Sequence, residues 1–257
     1  MRVNTLNNCL NGKTGEGPPP PIDLARAALL LDVDGTLIDI APTPDAVVVP
    51  GNLRDVLSHL RECVDGALAL ISGRSLDGLD ALFAPLSFAG VGSHGAELRS
   101  TPKGKSEILA GEPLSKGTVK TLQTIAKAHC GVLMEDKHYA LALHYRRVPE
   151  VEAALAAALA QHMPDFEKEG LELLRGKENF EIRRRGINKG AGLIALMKHA
   201  PFRGRQPVFI GDDTTDEDAL QVLPEFGGTG MSVGRRLRGA SHVFAGPSDV
   251  RAWLAML

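Results

Sequence analysis

Short apolar runs alternate with amphipathic stretches over most of the chain. Ala28-Leu29-Leu30-Leu31 ends at Asp32. Ala67-Leu68-Ala69-Leu70-Ile71 ends at Ser72-Gly73-Arg74, and Pro207-Val208-Phe209-Ile210 ends at Gly211-Asp212-Asp213. Runs that stay apolar instead of alternating suit strands covered on both faces, as in a parallel sheet. Phe88 to Val91 predicts a further strand. Between them, Leu53, Val56, Leu57 and Leu60 recur at helical spacing over Gly51 to Cys63, and Ser75 is placed to cap the next helix. Helices are also predicted over Asn188 to His199, Thr215 to Val222 and Ser248 to Leu257. Strands alternating with helices predict an α/β fold with a doubly wound, Rossmann-like parallel sheet.

The middle of the chain reads differently. Val119 to His129 and Val151 to His162 are amphipathic helices. Gly131 to Tyr145 reads as a hairpin broken at Lys137-His138. Phe166 to Arg175 and Asn179 to Arg183 add strand-like pieces. Two helices and about four antiparallel strands form a smaller inserted α+β cap domain, placed at 103–183. The core domain then takes 22–102 and 184–257. Residues 1–21 are polar and Gly-rich, end in Pro18 to Pro21, and read as a disordered tail.

Composition narrows the functional classes. Apolar residues make up 44% and charged residues 23%, a balance that can support packed cores. The net charge is −2, without the basic excess of a nucleic-acid or membrane-surface binder. Cys9, Cys63 and Cys130 are scattered and form no CxxC pair, which favours a reducing, cytoplasmic location. The N-terminal stretch has no apolar segment of the secretory kind, and no apolar run approaches the roughly 20 residues that span a bilayer.

Chemistry concentrates where the apolar runs end. In an open α/β sheet the carboxyl ends of the strands form the ligand crevice. Asp32, Asp34, Asp212 and Asp213 could meet there, and four like charges need a cation to stay ionised together. An oxygen-only donor set points to a hard ion, most simply Mg²⁺. In Asp32-Val33-Asp34-Gly35-Thr36, the first carboxylate can attack an electrophile, and the second can exchange a proton with the leaving group. Gly35 lets the chain turn away and brings backbone N–H groups near an anion, while Thr36 adds a hydroxyl.

These residues resemble the haloacid dehalogenase superfamily of phosphotransferases over about 22–257. The resemblance implies that Asp32 is the nucleophile, forming an aspartyl-phosphate, and also a metal ligand. It implies that Asp34 is the general acid/base, with its backbone carbonyl on the metal. Asp212 and Asp213 would complete the metal site, and Ser72 and Lys189 would hold the phosphoryl oxygens. The 117 positions between Ser72 and Lys189 put the insert in the α/β-capped branch, in which sugar-phosphate phosphatases predominate. A cap of that kind would exclude water and choose the substrate.

Ile71-Ser72-Gly73-Arg74, Gly92-Ser93-His94-Gly95-Ala96-Glu97, Asn188-Lys189-Gly190 and Gly211-Asp212-Asp213-Thr214-Thr215-Asp216-Glu217-Asp218 are similar to the trehalose-6-phosphate phosphatase family. That resemblance implies Mg²⁺-dependent release of phosphate from trehalose 6-phosphate. It adds Gly73, Arg74 and His94 at the site edge, and Glu135, Lys137, Lys177 and Glu181 in the cap as hydrogen-bonding partners of sugar hydroxyls. Arg74 reads as an edge cation or a structural pair. His94 reads equally as a substrate contact or as a turn residue near the core. Aromatic residues are only 4% of the chain, so polar contacts must carry much of the sugar recognition. The chain departs from the family where Arg183-Arg184-Arg185-Gly186 replaces an arginine-proline pattern. The expected partner is a small-molecule sugar phosphate, with no nucleic acid and no membrane, and a monomer is the expected assembly. Physical contact with a synthase cannot be read from the sequence. Two alternatives stay open: a phosphatase of another sugar phosphate such as sucrose 6-phosphate, and a non-catalytic sugar-phosphate sensor.

Overall fold

The computed structural model describes residues 17–41, 46–137, 139–176 and 178–257. Lys177 and residues 1–16 of the expected tail lie outside them. The chain divides into two units: one takes in the chain up to Glu107 and again from Asn188 to Leu257, the other is Ile108–Ile187. The sequence boundaries of 103 and 183 fall a few residues before these.

The first unit is built on an eight-stranded sheet whose short strand β5 falls on the boundary between the units. Its strands, in chain order, are β1 (Ala27–Leu31), β2 (Leu68–Ile71), β3 (Ala89–Gly92), β4 (Glu97–Arg99), β5 (Glu107–Ile108), β10 (Gln206–Gly211), β11 (Thr229–Val233) and β12 (His242–Phe244). Their spatial order is β12-β11-β10-β1-β2-β3-β4-β5. Pairing is parallel from β12 through β3 and antiparallel between β3 and β4. Leu29, Leu30 and Leu31 are inaccessible to solvent, as expected of a central strand covered on both faces. The connection from β1 leads toward β2 and that from β10 toward β11. The carboxyl ends of adjacent β1 and β10 therefore flank a topological switch point.

Helices α1 (Leu53–Cys63), α2 (Leu76–Phe83), α5 (Lys189–Leu196), α6 (Glu217–Val222) and α7 (Pro247–Leu254) accompany this sheet. The expected cap of α2 is present, with Ser75 Oγ accepting from Gly78 N at 3.1 Å. The sequence reading had no strand at β11 or β12. It also ran one helix over Thr215 to Val222, where a 3₁₀ turn at Thr214–Asp216 precedes α6.

The second unit is a four-stranded antiparallel sheet with two helices. Its strands are β6 (Leu133–Asp136), β7 (Ala140–His144), β8 (Leu171–Arg175) and β9 (Asn179–Arg184), in the order β6-β7-β9-β8. Its helices are α3 (Lys116–Ala128) and α4 (Glu152–Lys168). One sheet face supplies Leu141, Leu143, Phe180 and Ile182 to a core shared with Leu122 of α3 and Leu155, Leu159 and Phe166 of α4. The other carries Glu135, Ala142 and Glu181 in register. Phe166, expected in a strand, lies in α4. That helix continues through Pro164 because Leu155, Leu159 and Phe166 keep one apolar stripe on the core.

Candidate active site

The loop after β1 folds back at once. Leu37 N donates to Val33 O at 2.9 Å and Gly35 N to Ile38 O at 2.8 Å. Gly35 takes a φ of 81°, and a Cβ there would overlap Asp212 Oδ2 at the end of β10. Only glycine lets these two strand ends come so close.

A buried charge triad lies at their junction. Lys189 opens α5, whose first turn is fixed by Asn188 Oδ1 accepting from Ala191 N at 2.8 Å. Lys189 Nζ donates to Asp32 Oδ1 at 2.7 Å and to Asp216 Oδ1 at 2.6 Å. Asp32, Lys189 and Asp216 are all buried. Burial alone would favour a neutral lysine, but attraction to Asp216 and Asp32 outweighs it and holds the ammonium well above its ordinary range. Asp32 is raised well above the ordinary carboxylate range, first by burial and then by repulsion from Asp216 and Asp212, with Lys189 opposing. Asp212 is pushed up to about 7, again first by burial and then by Asp216.

The structure differs from the sequence reading at the second acidic position. Asp213 was expected beside the metal. Instead, Asp213 caps the 3₁₀ turn, and its Oδ1 lies 3.4 Å from the exposed Arg235 guanidinium. Asp216 takes the buried place. Its Oδ2 accepts from Asp212 N and Asp213 N, both at 3.0 Å, so one carboxylate shapes the acidic loop and pairs with Lys189. In the sequence Asp216 stands out only as part of the Gly211–Asp218 motif. Its position four residues after Asp212, at the start of a helix, is the signal that could have found it.

The second strand end is held equally tightly. Ser72 is buried, and its Oγ accepts from Arg74 N at 3.1 Å. The Arg74 guanidinium grips Asp34 by both oxygens, Nε to Oδ2 and Nη2 to Oδ1, each at 2.7 Å. Of the two readings of Arg74, the structure places it in the carboxylate pair. The His94 ring lies against Gly73, where a Cβ would overlap it, and His94 N donates to Ser72 O at 3.1 Å. Thr36 is buried close by in the chain, with its hydroxyl unpartnered among the described residues.

In the second unit, Lys137 Nζ donates to Glu181 Oε2 at 2.8 Å, and His144 Nε2 lies 2.8 Å from Glu135 Oε2. Glu135 and Glu181 share a sheet face through Ala142. Arg183 Nε donates to Glu172 Oε1 at 2.9 Å. Arg184 Nε donates to Glu112 O at 2.8 Å, so two residues of the departing arginine segment are engaged within this unit.

The donor set fits a hard divalent cation. Carboxylate oxygens of Asp32, Asp212 and Asp216 lie within 4.8 Å of one another. Asp32 Oδ2 is buried without a hydrogen-bond partner among the described residues. Burial first, and then the neighbouring carboxylates, raise the proton affinity of Asp32 and Asp212, a cost that a hard divalent cation among these oxygens would relieve. The Asp34 side chain is engaged by Arg74, so its implied metal contact would rest on its backbone carbonyl alone.

Known proteins share this arrangement of sequence and fold. The chain is 43% identical over 234 residues to the trehalose-6-phosphate phosphatase of Escherichia coli K12, covering 91% of this chain and 87% of that one. It is 41% identical over 216 residues to a probable trehalose-phosphate phosphatase of Sinorhizobium fredii, covering 82% and 79%. The C-terminal domain of trehalose-6-phosphate phosphatase from Candida albicans superposes with a TM-score of 0.76 at 25% identity, covering 90% of this chain and 92% of that one. The profile of the family described as Trehalose-phosphatase matches residues 30–245, from within β1 to just beyond β12, and thus includes every residue of the charge triad. With that span and those identities, the chain belongs to the trehalose-phosphatase family.

Proposed function

We propose that the chain hydrolyses trehalose 6-phosphate to trehalose and inorganic phosphate through an aspartyl-phosphate on Asp32. The observation that carries the reading is the state of Asp32. Its Oδ1 is held by Lys189, while Oδ2 is buried and has no hydrogen-bond partner among the described residues, at the switch point of the sheet. In the first step Asp32 Oδ2 attacks phosphorus, the bond from phosphorus to the sugar oxygen breaks, and Asp34 gives that oxygen its proton. In the second, water attacks the phosphoryl group, Asp34 takes its proton, and phosphate leaves with Asp32 restored. Lys189 and the Ser72 hydroxyl neutralise and orient phosphoryl oxygens, as a transfer dominated by positioning and charge stabilisation requires.

Asp32, Asp212 and Asp216 would hold Mg²⁺, which lowers the repulsion between an anionic nucleophile and an anionic phosphate. Gly35, Thr36, Gly73 and the site-edge His94 are assigned to the phosphate side. Glu135, Lys137, Lys177 and Glu181 are assigned to sugar recognition. The unit at 108–187 is assigned the role of a cap, and the enzyme a cytoplasmic place.

Phosphate release from trehalose 6-phosphate, sucrose 6-phosphate and glucose 6-phosphate, each with Mg²⁺ and with chelator, tests the reading. Mg²⁺-dependent release from trehalose 6-phosphate alone is expected. Faster release from another sugar would move the substrate. Binding of trehalose 6-phosphate without release would make the chain a sensor.

A further inference from the structure

Arg74 grips Asp34 and a second segment of the chain grips Arg74, and apart from the site-edge His94 neither has a part in the reaction as described. The Arg74 guanidinium plane meets the Asp34 carboxylate in two parallel hydrogen bonds of 2.7 Å. A fork of this kind fixes both the position and the plane of a carboxylate, which a single contact does not. The second segment is the turn after β3. Ser93, His94 and Gly95 have successive φ values of 49°, 54° and 108°. Two successive non-glycine residues in left-handed conformation cost of order 1–3 kcal/mol each and persist only where neighbours hold them.

The neighbours are identifiable. Ser93 N donates to Arg74 O at 2.8 Å, so the turn grips the backbone of the residue that grips Asp34. Ser93 Oγ donates to Glu97 Oε1 at 2.7 Å, while Glu97 Oε2 accepts from Leu76 N at 2.9 Å in the first turn of α2. Glu97 thus joins the strained turn to the helix that begins just after Arg74. The segment is closely packed at its glycines: a Cβ on Gly92 would overlap Leu76 N, one on Gly73 the His94 ring, and one on Gly95 the backbone of Asn188.

We propose that Arg74 is the positioning residue that aims Asp34 at the oxygen atoms it serves, and that Glu97 and the Ser93–Gly95 turn set the placement of Arg74. This rests on the phosphatase reading, in which Asp34 gives and takes protons during the two steps. A group that must meet first a sugar oxygen and then a water has to be held in direction, because a displacement of about 1 Å can cost 10²-fold in rate.

Steady-state kinetics on trehalose 6-phosphate tests this with Arg74→Ala, Arg74→Lys and Glu97→Ala, beside thermal unfolding of each. Arg74→Ala is expected to lower kcat about 10- to 100-fold with KM within about threefold, since proton transfer by a positioned group is worth about 10²–10⁴-fold in all. Arg74→Lys restores charge without the fork and should recover less than half of the loss. Glu97→Ala should lower kcat about three- to tenfold with the same KM, through Arg74. In an Asp34→Asn background, adding Arg74→Ala should change the residual rate by less than about twofold.

A rise in KM at constant kcat, or a further tenfold loss on the Asp34→Asn background, would overturn the proposal and make Arg74 a substrate contact. Unchanged kinetics of Arg74→Ala would overturn it outright. If Arg74→Ala does not fold, Arg74→Lys decides: wild-type kcat overturns the proposal and a partial loss supports it. Failure of the wild-type chain to release phosphate from trehalose 6-phosphate would strike the phosphatase reading, a result separate from any ratio between variants.

Discussion

The two units use charged side chains in opposite ways. In the first, Lys189 lies between Asp32 and Asp216 in a setting where all three are buried, and each partner depends on the others. In the second, Glu181 and Arg183 are buried, but other ion pairs lie nearer solvent, such as His144 with Glu135, whose side chains are 36% and 45% exposed. Removing one partner of a buried group strands an uncompensated charge, at a cost of about 3–5 kcal/mol. An exposed pair contributes about 0–1 kcal/mol, because water replaces what is lost. The triad therefore sits where substitution is least tolerated by the fold, while the exposed ion pairs of the inserted unit can change at little cost.

The sharpest way to break this comparison is at the nucleophile. Asp32→Asn should lower turnover at least about 10³-fold while the chain still folds, since Lys189 keeps Asp216. Phosphate release and circular dichroism check both halves. Lys189→Met should cost activity about 10²-fold or more and stability about 3–5 kcal/mol, read by urea unfolding, because it leaves Asp32 and Asp216 buried together. Equal stability to wild type would show that the triad is not a closed unit.

A third test uses pH. The folded protein raises Asp212 to about 7, against about 3.9 for an unfolded aspartate. Between those values the native state holds a proton that the unfolded chain has lost. This contribution to stability is complete below about pH 4 and declines as pH rises through about 7. Asp32, raised first by burial and then by Asp216, adds in the same direction. Chelated protein should thus lose thermal stability on going from pH 4.5 to 7.5. Mg²⁺ should flatten that fall, and Asp212→Asn should reduce it without metal.

The smallest effect belongs to the second unit. Glu135→Ala should alter stability by less than about 1 kcal/mol, and raise KM for trehalose 6-phosphate about two- to tenfold with little change in kcat. An equal loss of kcat and stability would erase the distinction between the units.

The same contrast governs what could be read from the chain. β1, β2 and β10 are legible because a strand buried on both faces needs a continuous apolar run. β11 and β12 are not. Thr229-Gly230-Met231-Ser232-Val233 has no such run, and His242–Phe244 is only three residues, so their neighbours in the sheet define them. Asp32, Ser72 and Lys189 stand out in the chain because each follows a strand or opens a helix at a motif, while the roles proposed for Ser72 and Lys189 come from the family resemblance. Asp216 was not singled out because its part depends on the loop turning back, so that one carboxylate can cap two amides and still reach Lys189. The grip of Arg74 on Asp34 spans 40 positions and is a property of adjacent strand ends, which local pattern does not reveal.

The most direct test of the central claim is an acid quench during a single turnover with trehalose 6-phosphate and Mg²⁺, followed by peptide mass spectrometry. A phosphoryl adduct on Asp32 that forms before free phosphate and is absent in Asp32→Asn is the predicted result. Release of phosphate without an adduct, or an adduct on another residue, would contradict the account.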